Sequence, residues 1–318
     1  MALQKSQSIS IRRGIKSNLR DSMRDIFIKE LIKKTRLNSN IMLVVGDLGY
    51  SVIESFKDKF PKQFLNAGVA EQNMSGLAAG LASEGCKVFT YSIGNFNTFR
   101  CAEQIRNDID YHKFDVTVVS VGGGLSYGSL GYSHHLIQDY ALMRAFPNMT
   151  IYSPCSNNEV KLCLEEIIKS SSPSYLRLGK GCSVNKQNNL YKLLNPNKFN
   201  LLYKSRNSRS KKCILLTGNV LADALKMVKL TKYKDHHIFS APIWGMKFKK
   251  VHSKEISKWH EIITLEDHLE DGGFGSYILE CNLRNNSRTS IKIKSLNQNV
   301  CGIVGDQETI KNHIGFVS

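Results

Sequence analysis

The sequence predicts an α/β protein of two domains, each a mostly parallel sheet flanked by helices, and three observations predict it. Continuous apolar runs of strand length at 41–45, 87–91, 116–121 and 174–178 alternate with helical patterns, as strands buried on both faces of a parallel sheet do. From 179 to 212 the alternation dissolves into Asn, Lys and Ser and ends in KSRNSRSKK, which reads as a linker. It then resumes with a strand at 213–217, a helix at 221–230, a strand at 260–265 and a helix at 275–282. The expected layout is a basic arm over 1–22, a first domain over 23–180, a linker over 181–212 and a smaller domain over 213–318.

Within the first domain, 25–34, 101–109 and 159–169 read as helices. A further helix opens in GVAEQNM (68–74), directly after the strand-like QFLNAGV. Met74, Leu77, Ala78 and Leu81 give it one apolar stripe, and Gly85 suits its C-terminal cap. Glu71 is thereby fixed in the first helical turn. A glutamate there can simply favour the helix dipole, or it can be a buried acid with chemistry to do.

Composition narrows the classes. The 318 residues suffice for two domains with a sizeable core. No apolar run approaches the roughly 18 residues of a membrane span. Eight cysteines show neither a CxxC pair nor a metal-like Cys/His spacing, as expected of reduced thiols in the cytoplasm, with no metal ligated by this chain. The first twenty residues carry Lys5, Arg12, Arg13, Lys16 and Arg20 without an apolar segment, so the reading is an arm against a neighbouring subunit rather than a secretion signal, with a mitochondrial presequence as the alternative. The net charge of +17 is spread along the chain with no nucleic-acid-binding motif. Such charge suits an acidic partner subunit or phosphorylated ligands.

Two glycine runs invite a nucleotide reading and fail it. GGGLSYG (122–128) does not fit GxGxxG, and GGFGS (272–276) has neither the preceding strand nor the acidic residue of a dinucleotide site.

Five segments occur in an order that resembles one family: GDLGYS (46–51), GVAEQNM (68–74), FNTFRCAEQIRND (96–108), GYSHHLIQDYALMRAFPNM (131–149) and LEDHLEDGGFGS (265–276). From Met23 onward the chain resembles the C-terminal half of a transketolase, the pyrimidine-binding plus C-terminal domains, as found in split two-subunit enzymes. The resemblance implies thiamine diphosphate and Mg2+ as cofactors. It gives Glu71 the role of the carboxyl that hydrogen-bonds the pyrimidine N1′ and promotes loss of the C2 proton, for which the site must be dry. It places Asp47 and Leu48 at the thiazolium side and Phe96 and Phe99 on the aromatic shelf, with Ala102 where a third aromatic is usual. His134 would face the reacting carbons, able to hydrogen-bond a substrate hydroxyl or carry a proton. His135 beside it is expected to be a satisfied structural residue. Ser51 and Lys180 match substrate phosphate positions, the lysine standing for a commoner arginine. By the same resemblance 122–128 is a substrate-facing loop and 272–276 a tight turn.

Two departures bear on substrate. Leu130 and Gly122 stand where the family's pentose phosphate enzymes carry an aspartate and a histidine that grip donor hydroxyls. The chain also lacks the GDG-and-Asn motif that holds the diphosphate through Mg2+; GDQE (305–308) is not it. The expectation is therefore one subunit of an α2β2 thiamine diphosphate-dependent enzyme, moving a two-carbon ketol unit between sugars and distinct from the housekeeping pentose phosphate enzyme. The alternatives are the β subunit of a 2-oxo acid dehydrogenase and a non-catalytic scaffold.

Overall fold

A computed structural model describes residues 22–179 and 194–317. The strands of the first part are β1 (Ile41–Val45), β2 (Phe64–Asn66), β3 (Lys87–Ile93), β4 (Val116–Val121), β5 (Thr150–Tyr152) and β6 (Ser174–Leu178). Those of the second are β7 (Asn200–Tyr203), β8 (Lys212–Leu216), β9 (His237–Ser240), β10 (Ile243–Trp244), β11 (Glu261–Leu269) and β12 (Ser290–Leu296). One sheet runs in the order β10-β5-β6-β4-β3-β1-β2 and is parallel except for β10; the other runs β12-β11-β8-β9-β7 and is parallel except for β7. This is the expected pair of mostly parallel sheets with helices on their faces. None of the described helices is long and apolar enough to cross a membrane.

The helices form where local chemistry favours them. Met23–Thr35 opens with a reciprocal cap, in which the Asp25 carboxylate accepts from Ser22 N at 2.8 Å while Ser22 Oγ accepts from Asp25 N. Glu71–Ser83 buries Met74, Ala78 and Ala82, with Leu77 and Leu81 partly covered, and Gly85 takes φ 86° just beyond its end.

Two stretches differ from the sequence-based expectation. The helix expected at 101–109 is a run of changing pitch, a 3-10 turn at Phe99–Cys101 leading to a π-helix at Ile105–Asp110. The wide turn keeps Ile105 and Ile109 in the core while buried Asp110 accepts from the Asn148 backbone and side-chain amides. The segment 181–212, read as linker, holds an edge strand: β7 pairs with β9 and buries Leu202, its short pattern hidden by the polar residues around it. Residues 181–193 of that stretch, and Lys180 before it, lie outside the described residues.

The two sheets share a core. Val44, Met74 and Ile105 belong to the same buried cluster as Trp244, Phe274 and Tyr277. β10 crosses from the second part to edge the first sheet, pairing with β5. Arg177 on β6 is the polar counterpart. It is 2 % exposed, donates to Asp139 (2.8 Å) and to Asp267 on β11 (2.5 Å), and lies 4.4 Å from the Tyr140 ring centre. Its Nη2 also donates to the Leu136 carbonyl at 2.7 Å, two residues from His134.

Removing one member of such a buried group leaves the others charged and unpaired. Arg177→Met should cost about 3 to 5 kcal/mol in chemical denaturation. Lys33→Met, which breaks only a surface pair with Glu30, should cost under about 1 kcal/mol. Equal losses for the two variants would contradict this account of the junction.

Candidate active site

Four segments meet at the C-terminal ends of β1 and β3: the loop after β1, the start of the Glu71 helix, the turns after β3 and the loop after β4. Glu71 is 2 % exposed. A Cβ on Gly46 would stand 3.6 Å from Glu71 Cγ, from Met74 Sδ and from Ser92 Oγ, ordinary contact distances that place the Glu71 side chain beside the end of β1. Ser92 Oγ is buried and makes no hydrogen bond.

Glu71 has a partner that the sequence did not announce. Arg100 Nη1 donates to Glu71 Oε2 at 3.0 Å, and the guanidinium carbon lies 4.5 Å from the Phe96 ring centre. A planar group bearing N–H donors thus fits between an aromatic ring and a buried carboxylate. The Glu71 carboxylate is thus both buried and ion-paired. Phe96 carries the line onward, its ring centre 5.4 Å from the His134 imidazole in an edge-on arrangement.

His134 sits on a short 3-10 turn, Tyr132–His134, held from below. Asn95 Nδ2 donates to the carbonyls of Ser133 (2.7 Å) and His135 (3.2 Å), and His134 Nδ1 lies 3.0 Å from Ser133 Oγ. Gly94 allows this approach, since a Cβ there would collide with the Leu136 side chain at 2.0 Å. His135 is buried as expected of a structural residue but is less well satisfied: Nε2 meets the Gly128 carbonyl at 3.5 Å and Nδ1 has no hydrogen-bond partner. Burial lowers its pKa.

The remaining sequence-predicted residues divide. Asp47 takes a left-handed conformation, φ 55°, and its carboxylate accepts from Asn66 Nδ2 at 3.0 Å, tying the loop after β1 to β2. Leu48 follows it, half-buried. Phe99 is exposed, facing outward beside Arg100, and Ala102 is half-buried. Ser51, also left-handed at φ 66°, is exposed and donates its backbone N–H to Glu54 at 2.8 Å. So Glu71, Phe96 and His134 are joined by successive contacts through Arg100, with Asp47 and Leu48 on the loop next to Gly46. Ser51 and Phe99 stand at its rim.

The GGFGS turn is closed to ligands by its own fold. The N–H groups of Phe274 and Gly275 at the helix start both donate to the buried Glu266 carboxyl at 2.6 Å, which takes the place an anion would need. Among the described residues no group of three or more His, Cys, Asp or Glu could hold a metal ion.

This geometry has relatives. Residues 21–183 match the transketolase pyrimidine binding domain. The chain is 32 % identical over 268 residues to a putative transketolase C-terminal section of Methanocaldococcus jannaschii, with 83 % of each chain covered. The chain belongs to the transketolase family. It is also 30 % identical over 263 residues to one of the subunits of the apulose-4-phosphate transketolase of Phocaeicola vulgatus, covering 81 % of this chain and 82 % of that one. Its fold matches a solved split-gene transketolase, an inactive beta4 tetramer, with a TM-score of 0.77 over 93 % of this chain and 94 % of the other at 24 % identity. For a transketolase, Arg100, Ser92 and Asn95 are the residues that sequence reasoning passed over. Their only signal was polarity within otherwise apolar or aromatic runs.

Proposed function

We propose that this chain is the pyrimidine-binding subunit of a heteromeric, thiamine diphosphate-dependent transketolase that moves a two-carbon ketol unit between sugars in the cytoplasm. The observation that carries the reading is the Glu71–Arg100–Phe96 arrangement, in which a planar, N–H-bearing group is clasped between a buried carboxylate and an aromatic face. An aminopyrimidine ring has the same planarity and can meet both surfaces. The bound cofactor supplies a carbon nucleophile that accepts and releases the ketol unit. Glu71 holds the pyrimidine N1′ by a hydrogen bond, and Phe96 supports the ring in the place that Arg100 takes here. Asp47 and Leu48 line the thiazolium side. His134, beyond Phe96, hydrogen-bonds substrate hydroxyls and carries a proton at the reacting carbons. Ser51 and Lys180 serve a substrate phosphate at the rim. The domain limits are 23–180 and 213–318, with 1–22 as an arm on a neighbouring subunit.

A partner is needed for two reasons. The chain has no diphosphate motif, so Mg2+ and the diphosphate are held mainly by a second subunit in an α2β2 assembly. The exposed apolar residues Val69, Phe99, Leu130 and Tyr132 lie on the segments that carry Glu71, Arg100 and His134, which supports a docking face around the site. The relatives above, one called a C-terminal section and the other a transketolase subunit, support the same division. A 2-oxo acid dehydrogenase subunit shares the Glu71 chemistry but has no such support, and a scaffold would not need a dry carboxylate in line with His134.

Two outcomes test this. The purified chain alone should bind no thiamine diphosphate in calorimetry, and binding should appear once the partner subunit is added. Micromolar binding to the isolated chain would refute the shared site. In the reconstituted complex Glu71→Gln should assemble normally yet slow exchange of the cofactor C2 hydrogen for deuterium by roughly 100- to 10,000-fold. Exchange at the wild-type rate would remove Glu71 from the activating role.

A further inference from the structure

The loop after β4 holds a pair of residues with no part in the steps above, Gly122 and Tyr127. Gly122 has φ 93°, in the left-handed region, and a Cβ built on it would lie 2.2 Å from two atoms of the Tyr127 ring. No side chain fits at 122 unless that ring leaves, so the two residues require each other. The Tyr127 ring is half-buried and stands edge-on to His134, centres 6.4 Å apart. Phe96 approaches the same imidazole at 5.4 Å. The two rings therefore both bound His134. Tyr127 thus stands between Gly122 and His134.

We propose that Tyr127 is a specificity-determining residue whose ring forms, with Gly122, an aromatic wall beside His134 that favours ketol donors with a short or hydroxyl-poor tail over polyhydroxylated sugar phosphates. The inference rests on the transketolase reading of the site. The carbon atoms of the ring offer no hydrogen bond to a sugar hydroxyl, and the phenol oxygen alone can donate or accept. Each further hydroxyl turned toward the wall loses water without gaining a partner. Leu130, exposed on the same loop, offers no replacement. A 2-oxo acid or a deoxygenated sugar carries no such cost.

The test uses the complex reconstituted with its partner, thiamine diphosphate and Mg2+, and two donors of the same ketol unit. Hydroxypyruvate has no polyol tail; xylulose 5-phosphate has one. Wild type should favour hydroxypyruvate in kcat/KM by roughly 100-fold. Tyr127→Ala should narrow that ratio by about tenfold or more, mainly through a lower KM for xylulose 5-phosphate, while Tyr127→Phe keeps the wild-type ratio. Calorimetry with unreactive xylitol 5-phosphate should show tighter binding to the Ala variant. Tyr127→His, a smaller ring with a polar nitrogen, carries the same expectation if Ala does not assemble. A wild-type ratio near one, or a ratio unmoved in the Ala and His variants, overturns this inference alone. Turnover of neither donor by the wild-type complex overturns this inference alone if the cofactor C2 hydrogen still exchanges, and the transketolase reading with it if that exchange is absent.

Discussion

The structure depends on one buried cation. Arg177 enters the core from a parallel strand and finds two carboxylates, Asp139 of the same sheet's flanking helix and Asp267 of the second sheet. A charged side chain in such surroundings is tolerable only when its donors are met, and here they are, by Asp139, Asp267, Tyr140 and the Leu136 carbonyl. Through Leu136 the junction also fixes the segment that ends in His134. The neighbouring contact of Gly124 with Asp267, where a Cβ would stand 2.4 Å from the carboxylate, brings the loop after β4 onto the second sheet. The second sheet therefore supports the loop after β4 and the segment beside His134.

The other end of the site obeys the same electrostatics with less protection. Glu71 is almost wholly buried, but its partner Arg100 is half-exposed and lies on a segment of changing helical pitch. Arg177 is locked by several partners, whereas Arg100 has one carboxylate and one ring face. Arg100 is thus the more exposed and, among the described residues, the less tightly held of the two arginines. The difference between the two arginines separates the part of the molecule that must not move from the part that works.

Much of this was legible in the sequence. The strand runs and the helix behind Glu71 follow from hydrophobic periodicity, and Gly85 closes that helix as its position implied. The order of motifs pointed to Glu71, Phe96 and His134, which are linked by successive contacts through Arg100. Arg100 was not legible as a partner of Glu71, because the contact spans 29 positions and is created by the pairing of β1 with β3. Arg177 was hidden for a related reason: inside YLRL it reads only as an interruption of an apolar strand. The edge strand β7 was masked by the Asn, Lys and Ser around it. The fit between Gly122 and Tyr127 is a matter of backbone dihedral and ring position, which residue types alone do not carry.

The central claim is that this chain supplies one wall of a cofactor site and a partner supplies the other. Backbone hydrogen exchange, measured on the chain alone and in complex with its partner and thiamine diphosphate, addresses that most directly. The account predicts protection on assembly at 46–51, 68–71, 96–100 and 127–134, with little change in the Met23–Thr35 helix. Protection confined to regions away from those four segments would contradict it.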